Sequence, residues 1–307
     1  MTTLTRRNML AAGTALPFVG LAAGAARAEA PMKGASFASH RRFMIGDFEV
    51  TTILGGTTPR ENPQGIFGMN VSEEEFATVS EENFLSTEAS QFFFTPTLVN
   101  TGSELVLFDT GLNAAATLSA IEGAGYSADQ VDVVVLTHMH GDHIGGLMNN
   151  GGPTFANARY VTGQVEFDHW AAAENDGFEA NVRPLADQMT FIGDGNDVVS
   201  GITGMAAFGH TPGHMVYRLD SADKGLVIFA DLANHPVWSL ARPDWEVRFD
   251  ADKEAAAASR RNVLGMIAAD RVPAIGYHMP FPAVGYVDTG SNDAEFQWVP
   301  EAGQLMG

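Results

Sequence analysis

Cysteine is absent from all 307 residues. No disulfide staples this chain and no thiolate can bind a metal in it, so any metal site has to be built from imidazole and carboxylate. Basic residues are scarce: 17 Lys and Arg stand against 37 Asp and Glu, a formal charge of −20. A body this acidic repels phosphodiester polymers, so no nucleic acid is expected as a partner. The chain lacks a Gly-x-Ser-x-Gly elbow and a P-loop, which argues against a serine nucleophile of that type and against nucleotide binding by that loop. Long apolar runs are also missing, apart from an Ala/Gly-rich stretch from Leu10 to about Ala25 that is short and weakly hydrophobic for a membrane anchor. Thr5-Arg6-Arg7-Asn8-Met9-Leu10 precedes that stretch and Ala26-Arg27-Ala28 follows it. Together they have the form of a twin-arginine export signal with a small-x-small cleavage site. Residues 1–28 are therefore expected to be a signal peptide, residues 29–41 a flexible leader and residues 42–307 one domain. The expected address is the periplasm, with no stable membrane anchor after cleavage. Losing Arg6, Arg7 and Arg27 without losing an acid takes the charge to −23.

Histidine is sparse, nine residues in all, but it is not scattered. Thr137-His138-Met139-His140-Gly141-Asp142-His143-Ile144-Gly145-Gly146 places four metal-binding side chains in six positions, directly after the apolar, strand-like run at 131–136. Imidazole with carboxylate suits zinc and its first-row neighbours and leaves room for bound water. His210 and His214 sit in Gly209-His210-Thr211-Pro212-Gly213-His214, Asp231 ends a second strand-like run at 226–230, and His278 opens His278-Met279-Pro280-Phe281-Pro282. Two histidines in a turn are more often solvated or structural than metal-bound, so a single His-x-His would carry little. His40, in a basic stretch, and His169, beside Trp170, are read as ordinary structural or surface histidines.

The order His-x-His-x-Asp-His, then a lone His, a lone Asp and a lone His, resembles the metallo-β-lactamase superfamily over about residues 42–300. The resemblance implies two divalent metal ions, zinc foremost. His138, His140 and His210 would hold the first, Asp142, His143 and His278 the second, and Asp231 would bridge them. Asp142 and Asp231 would act with a metal-bound bridging hydroxide, and the absence of cysteine excludes the β-lactamase subclasses that use a thiolate at the second metal. In Asp109-Thr110-Gly111 the resemblance implies that Asp109 accepts the far N–H of a metal-bound histidine and so fixes its tautomer. His214 falls four residues after His210, but Pro212 and Gly213 break any helix that would align the two, so a packing role behind the ligands is expected. His235 is expected to line the site or to donate a hydrogen bond there, with a surface histidine as the alternative, and Trp170 matches an aromatic of the family's substrate pocket, with a buried core Trp as the alternative.

Residues 43–50, 209–214 and 278–285, with the export leader, are similar to the methyl parathion hydrolase-like group, which includes phosphotriesterases and lactone or aryl-ester hydrolases. The chain departs from that group at 55–91 and in the loop after Gly111. Quorum-quenching lactonases carry a Tyr three residues after the bridging Asp; here that position is Asn234, and Tyr286 is a substitute phenol on offer. The expected function is metal-dependent cleavage of small neutral esters or lactones, with phosphotriesters as further substrates and a homodimer as the assembly. The alternatives are a β-lactamase-type amide hydrolase and a non-catalytic metal-binding module.

Strands and helices interleave along the chain, which predicts an α/β fold, here a four-layer αββα sandwich with the metal site at one edge between the sheets. Strands are expected across 43–54 with a turn at Gly46-Asp47, at 92–100 paired with 104–108, at 158–162, 203–208 and 215–219, and last at 273–277. Helices are expected at 114–124, 164–174, 251–269 and, weakly, 182–189, with an acidic loop before the last of these. Residues 55–91, rich in Gly, Pro and acids, read as a long excursion with one helix near 73–80 and are a candidate lid.

Overall fold

Val133-Val134-Val135-Leu136 shows how this chain makes its layers. Successive side chains of a strand point to opposite faces. Val133 and Val135 join one apolar cluster with Tyr217, Leu219 and Ile228, whereas Val134 and Leu136 join another with Ile121, Tyr160 and Phe178. A strand apolar on both faces is buried on both, and that demands cover on each side.

The computed structural model describes residues 31–291 and 293–305; the expected signal peptide lies outside them. Residues 31–36 contain no helix or strand. From Phe37 onward the first half of the chain gives β1 (His40–Ile45), β2 (Phe48–Ile53), β3 (Gly56–Glu61), α1 (Glu73–Glu82), β4 (Ala89–Phe94), β5 (Thr97–Asn100), β6 (Leu105–Phe108), α2 (Ala114–Gly123) and β7 (Val133–Leu136). Then come α3 (Gly141–Ile144), β8 (Met148–Asn149), β9 (Gly152–Pro153), β10 (Arg159–Gly163), α4 (Gln164–Ala172), α5 (Asp176–Asn181) and β11 (Met189–Ile192). The second half gives β12 (Asp197–Val199), β13 (Ile202–Ala206), β14 (Met215–Ser221), β15 (Lys224–Ala230), α6 (Lys253–Asp270), β16 (Pro273–Gly276), β17 (Val284–Thr289) and β18 (Phe296–Pro300).

Two seven-stranded mixed sheets result, ordered β1-β2-β5-β6-β7-β10-β11 and β12-β13-β14-β15-β16-β17-β18. Their inner faces meet in the Val133 and Val135 cluster. Val263, Leu264 and Ile267 of α6 cover the outer face of the second sheet, and Ile121 of α2 with Phe178 of α5 covers that of the first. This is the expected αββα sandwich. Ala-rich α6 starts where the Asp252 side chain accepts the Ala255 N–H and stops where Arg271 turns left-handed at φ 53°.

Several local expectations are corrected. The leader is shorter, since His40 and Arg41 already pair with Ile53 and Thr52 in β1 and β2. The strand expected across 92–100 is two strands. Pro96, which has no N–H for a ladder, separates β4 from β5, and β4 pairs with β3 instead. The acidic loop contains α5, capped by the Asn175 side chain on Phe178 N–H, and the weak helix is a 3₁₀ turn at Arg183–Gln188. β16 is not the last strand: β17 and β18 follow.

The excursion is not a loose lid. Phe67 and Phe76 are fully buried and stack with Trp238 and Trp245 in an apolar cluster of their own. It forms a fixed wall beside the end of the sandwich that carries the candidate site.

Topology decides where the functional residues lie. β6, β7 and β10 run parallel, as do β15 and β16. Parallel neighbours bring their C-terminal ends to one edge, the usual ligand edge of such sheets. Asp109, His138, Asp231 and His278 all follow such ends. β14 is antiparallel to β15, so the residues before it, including His210, reach the same edge.

Candidate metal centre

Seven side chains converge at that edge in two groups, His138, His140, His210 and Asp231, and Asp142, His143 and His278. Within the first group the inward nitrogens almost touch: His140 Nδ1 lies 3.0 Å from His138 Nε2 and 3.0 Å from His210 Nε2. Asp231 stands between the groups. Its Oδ2 is 3.4 Å from His210 Nε2 and 3.1 Å from His278 Nε2, and its Oδ1 is 3.2 Å from His143 Nε2.

The outward nitrogens are held separately. His143 Nδ1–H donates to Asp109 Oδ2 at 2.8 Å, His210 Nδ1–H to Asp250 Oδ1 at 2.9 Å, and His278 Nδ1–H to the Phe93 carbonyl at 2.7 Å. An N–H committed to an acceptor on one side leaves a lone pair on the other. His143 Nε2 and Asp231 Oδ1 are buried and form no hydrogen bond. Convergent lone pairs with orphaned buried acceptors fit divalent cations and fit no internal partner. In donor chemistry, nitrogen and oxygen without sulfur, the residues suit zinc or a first-row neighbour.

Electrostatics agree. Burial lowers His138 well below the ordinary histidine range and His140 to about 4, which leaves both as neutral donors. For His278 burial is outweighed by Asp231 and Asp142, which push it up to about 10, and Asp231 and Asp109 raise His143 in the same way. Burial would raise Asp142, but His143 and His278 hold it at about 2. The acids in and around the second group, Asp142, Asp231 and Asp109, thus favour positive charge at that place.

Asp109 also accepts from Thr137 N–H and Thr137 Oγ1–H, so both of its oxygens are committed. His214 is buried behind His138, and its Nε2 accepts the Asp231 N–H at 3.3 Å. His235 does not line the site, contrary to expectation. It stacks on Trp238 with ring centroids 4.0 Å apart, and its Nδ1 accepts from Val237 and Trp238 N–H, which caps the turn at Pro236–Leu240. The Trp170 and His140 rings stand nearly perpendicular with centroids 5.9 Å apart, and Trp170 donates Nε1–H to Glu166; the cavity above the site is lined by other residues. Tyr286 lies on β17 against a groove with Lys224 and Arg271, away from the centre, and supplies no phenol there.

Sequence reasoning missed several residues. Asp250 bridges His210 and the buried Arg260 guanidinium, which lies 2.8 Å from its other oxygen. Asn234 Nδ2–H donates to Asp231 Oδ2 at 2.9 Å, so the side chain standing in the tyrosine position points inward. Tyr277 O–H donates to the Asp142 carbonyl at 2.6 Å. Arg260, an arginine in the middle of an Ala-rich helix, was the one available hint of a buried acid. Above the centre opens a cavity of about 400 Å³, walled by Phe92, Phe94, Phe249 and Leu112, with Arg60 at its lining and His140, Asp142, Asp231 and His278 at its floor.

Known proteins match at several levels. The chain is 39% identical over 59 residues to the anti-Pycsar protein Apyc1 of Paenibacillus sp. (strain J14), covering 19% of this chain and 23% of that protein. It is 29% identical over 126 residues to the probable metallo-hydrolase YybB of Bacillus subtilis (strain 168), covering 39% of this chain and 53% of that protein. The chain thus spans from about a quarter to about half the length of these two curated relatives. Among solved structures, AidC, a dizinc quorum-quenching lactonase in complex with a product, aligns with a TM-score of 0.78 and 26% identity over 86% of this chain and 98% of that one. The hydrolase AbOPH of the beta lactamase superfamily aligns with a TM-score of 0.79 and 23% identity over 87% and 99%. A quorum-quenching N-acyl homoserine lactone lactonase aligns with a TM-score of 0.60 and 17% identity over 79% and 99%, which speaks for the fold alone. The family model for the metallo-beta-lactamase superfamily matches residues 95–274, more than half of the sequence and the stretch that holds six of the seven converging side chains. This chain belongs to the metallo-beta-lactamase superfamily.

Proposed function

We propose that this metal-dependent hydrolase opens small neutral lactones, N-acyl homoserine lactones foremost, and cleaves related esters, using two zinc ions. The observation that carries this reading is the apolar cavity of about 400 Å³ seated directly on the two His/Asp groups. Its likeness to AidC, a dizinc quorum-quenching lactonase, supports the substrate class.

Two divalent ions held by His138, His140, His210, Asp231, Asp142, His143 and His278 would supply acidification of water and polarisation of a substrate oxygen. The chain's own residues supply the rest. Phe92, Phe94 and Phe249 exclude bulk water and offer an apolar surface to an acyl group. Asp142, in both the cluster and the cavity floor, is held ionised by His143 and His278 and accepts a hydrogen bond that orients the attacking water. Asn234 holds Asp231 by one oxygen, so that the carboxylate keeps its place between the groups. Export through the twin-arginine leader to the periplasm belongs to the same proposal, because that route carries proteins already folded around their metals.

The test is a substrate panel on metal-loaded protein: an N-acyl homoserine lactone, an aryl ester, a phosphotriester and a β-lactam. We expect turnover of the lactone and the ester. Two metals bound per chain with neither of these hydrolysed would overturn the reading, and so would hydrolysis of the β-lactam alone.

A further inference from the structure

Glu166 is a fully buried acid that none of the functions above uses. It sits in the first turn of α4, and both of its oxygens are occupied by donors, three of them from outside that helix. Oε1 accepts Met139 N–H at 2.9 Å and Trp170 Nε1–H at 2.7 Å. Oε2 accepts Thr211 Oγ1–H at 2.7 Å and Gly213 N–H at 3.0 Å. Met139 lies between His138 and His140, Thr211 directly follows His210, and the Trp170 ring stands nearly perpendicular to that of His140 with centroids 5.9 Å apart. One carboxyl group therefore joins the two separate loops that deliver the three imidazoles of the first group. The contact is close: a Cβ on Gly213 would come within 2.1 Å of the Glu166 nitrogen. The second group has its own supports, Asp109 behind His143 and the Phe93 carbonyl behind His278.

We infer that Glu166 is a positioning residue for the first metal: it binds no ion itself but sets the spacing of His138 and His140 against His210, and so the affinity of that site and not of the other. All four of its partners donate, so an amide in its place must turn its own NH2 toward groups that have hydrogens to give. Metal sites whose supporting partners are removed typically lose about 10–100-fold in affinity. The inference rests on the His/Asp groups binding metal, as proposed above, but not on which ester or lactone is cleaved.

The experiment reads zinc affinity by competition with a chelator, for Glu166→Gln in two backgrounds. His278→Ala leaves the first group intact, and His140→Ala leaves the second. In the His278→Ala background, Glu166→Gln should weaken zinc binding by about 10–100-fold; in the His140→Ala background it should leave zinc binding unchanged. Equal weakening in both backgrounds would mean that Glu166 merely supports the fold and would overturn the inference, as would unchanged affinity in both. Should Glu166→Gln fail to fold, Thr211→Val and Trp170→Phe each remove one arm and must show the same selectivity for the first site. If the lactone and ester panel is negative while this selectivity holds, the substrate reading fails and the positioning role stands. If neither background binds zinc before Glu166 is changed, both fail.

Discussion

Asp250 has to satisfy two demands at once. One oxygen takes the His210 N–H and the other takes the Arg260 guanidinium, and neither Asp250 nor Arg260 has access to water. Burial alone would raise its pKa, but His210 and Arg260 together hold it below the ordinary carboxylate range. Replacing Arg260 with Met removes one charge and strands the other, which should cost about 3–5 kcal/mol of stability in urea unfolding. His235 gives a contrasting prediction. Its buried imidazole, lowered by burial to about 3, accepts two backbone N–H groups and belongs to neither of the two His/Asp groups. His235→Ala should therefore cost about 1–2 kcal/mol, as loss of a cap does, and leave two metals bound per chain by elemental analysis. All seven converging side chains were legible in the sequence through its resemblance to the metallo-β-lactamase superfamily, because that resemblance rests on residue types and their order along the chain. The supporting roles of Asp250, Glu166 and Asn234 were not, because an acid or an amide becomes a support only through a partner that lies far along the chain or across a turn. His235 was misplaced for the same reason: four residues after Asp231 says nothing about which way the backbone turns.

At the scale of elements, the excursion between β2 and β5 shows how far a local reading reaches. Its Gly, Pro and acids suggested a lid, yet its Phe67 and Phe76 find Trp238 and Trp245 more than 150 positions away. Those partners turn it into a wall, and β4 within it brings Phe92 and Phe94 to the cavity. Phe76→Ala removes a stacked, fully buried ring and should cost about 3–5 kcal/mol. Since the wall shapes the cavity but holds none of the seven side chains, the same variant should raise KM for a lactone while metal content stays at two; a fall in metal content would show that the wall also supports the centre. β1, β2, β7, β10, β14 and α6 lie within a few residues of expectation, since alternation and an uninterrupted Ala-rich run are strong local signals. β17 and β18 went unread because their registers, β17 on β16 and β18 on β17, are set across the sheet and not along the chain.

Across the whole molecule the formal charge of −20 is the dominant long-range term. Negative potential around the body slows the approach of anions and is screened within about 8–10 Å at ordinary salt. kcat/KM for an ester that carries a carboxylate should therefore rise with ionic strength, and that for its neutral analogue should not. A fall with ionic strength would show that Arg60, at the cavity, outweighs the rest of the surface, and equal salt dependence of the two would show that the body's field does not act at the site. The amino-acid sequence by itself determined the exclusion of thiolate chemistry, the α/β layering and the sign of the field, because each follows from residue types and short-range order, and it named the donor set through the resemblance that the order of those residues carries. The tertiary structure alone decided which nitrogen of each histidine faces inward, which acids stand behind them and what walls the cavity. Those are matters of direction and spacing between groups that only the packing of two sheets at a common edge brings within hydrogen-bonding distance.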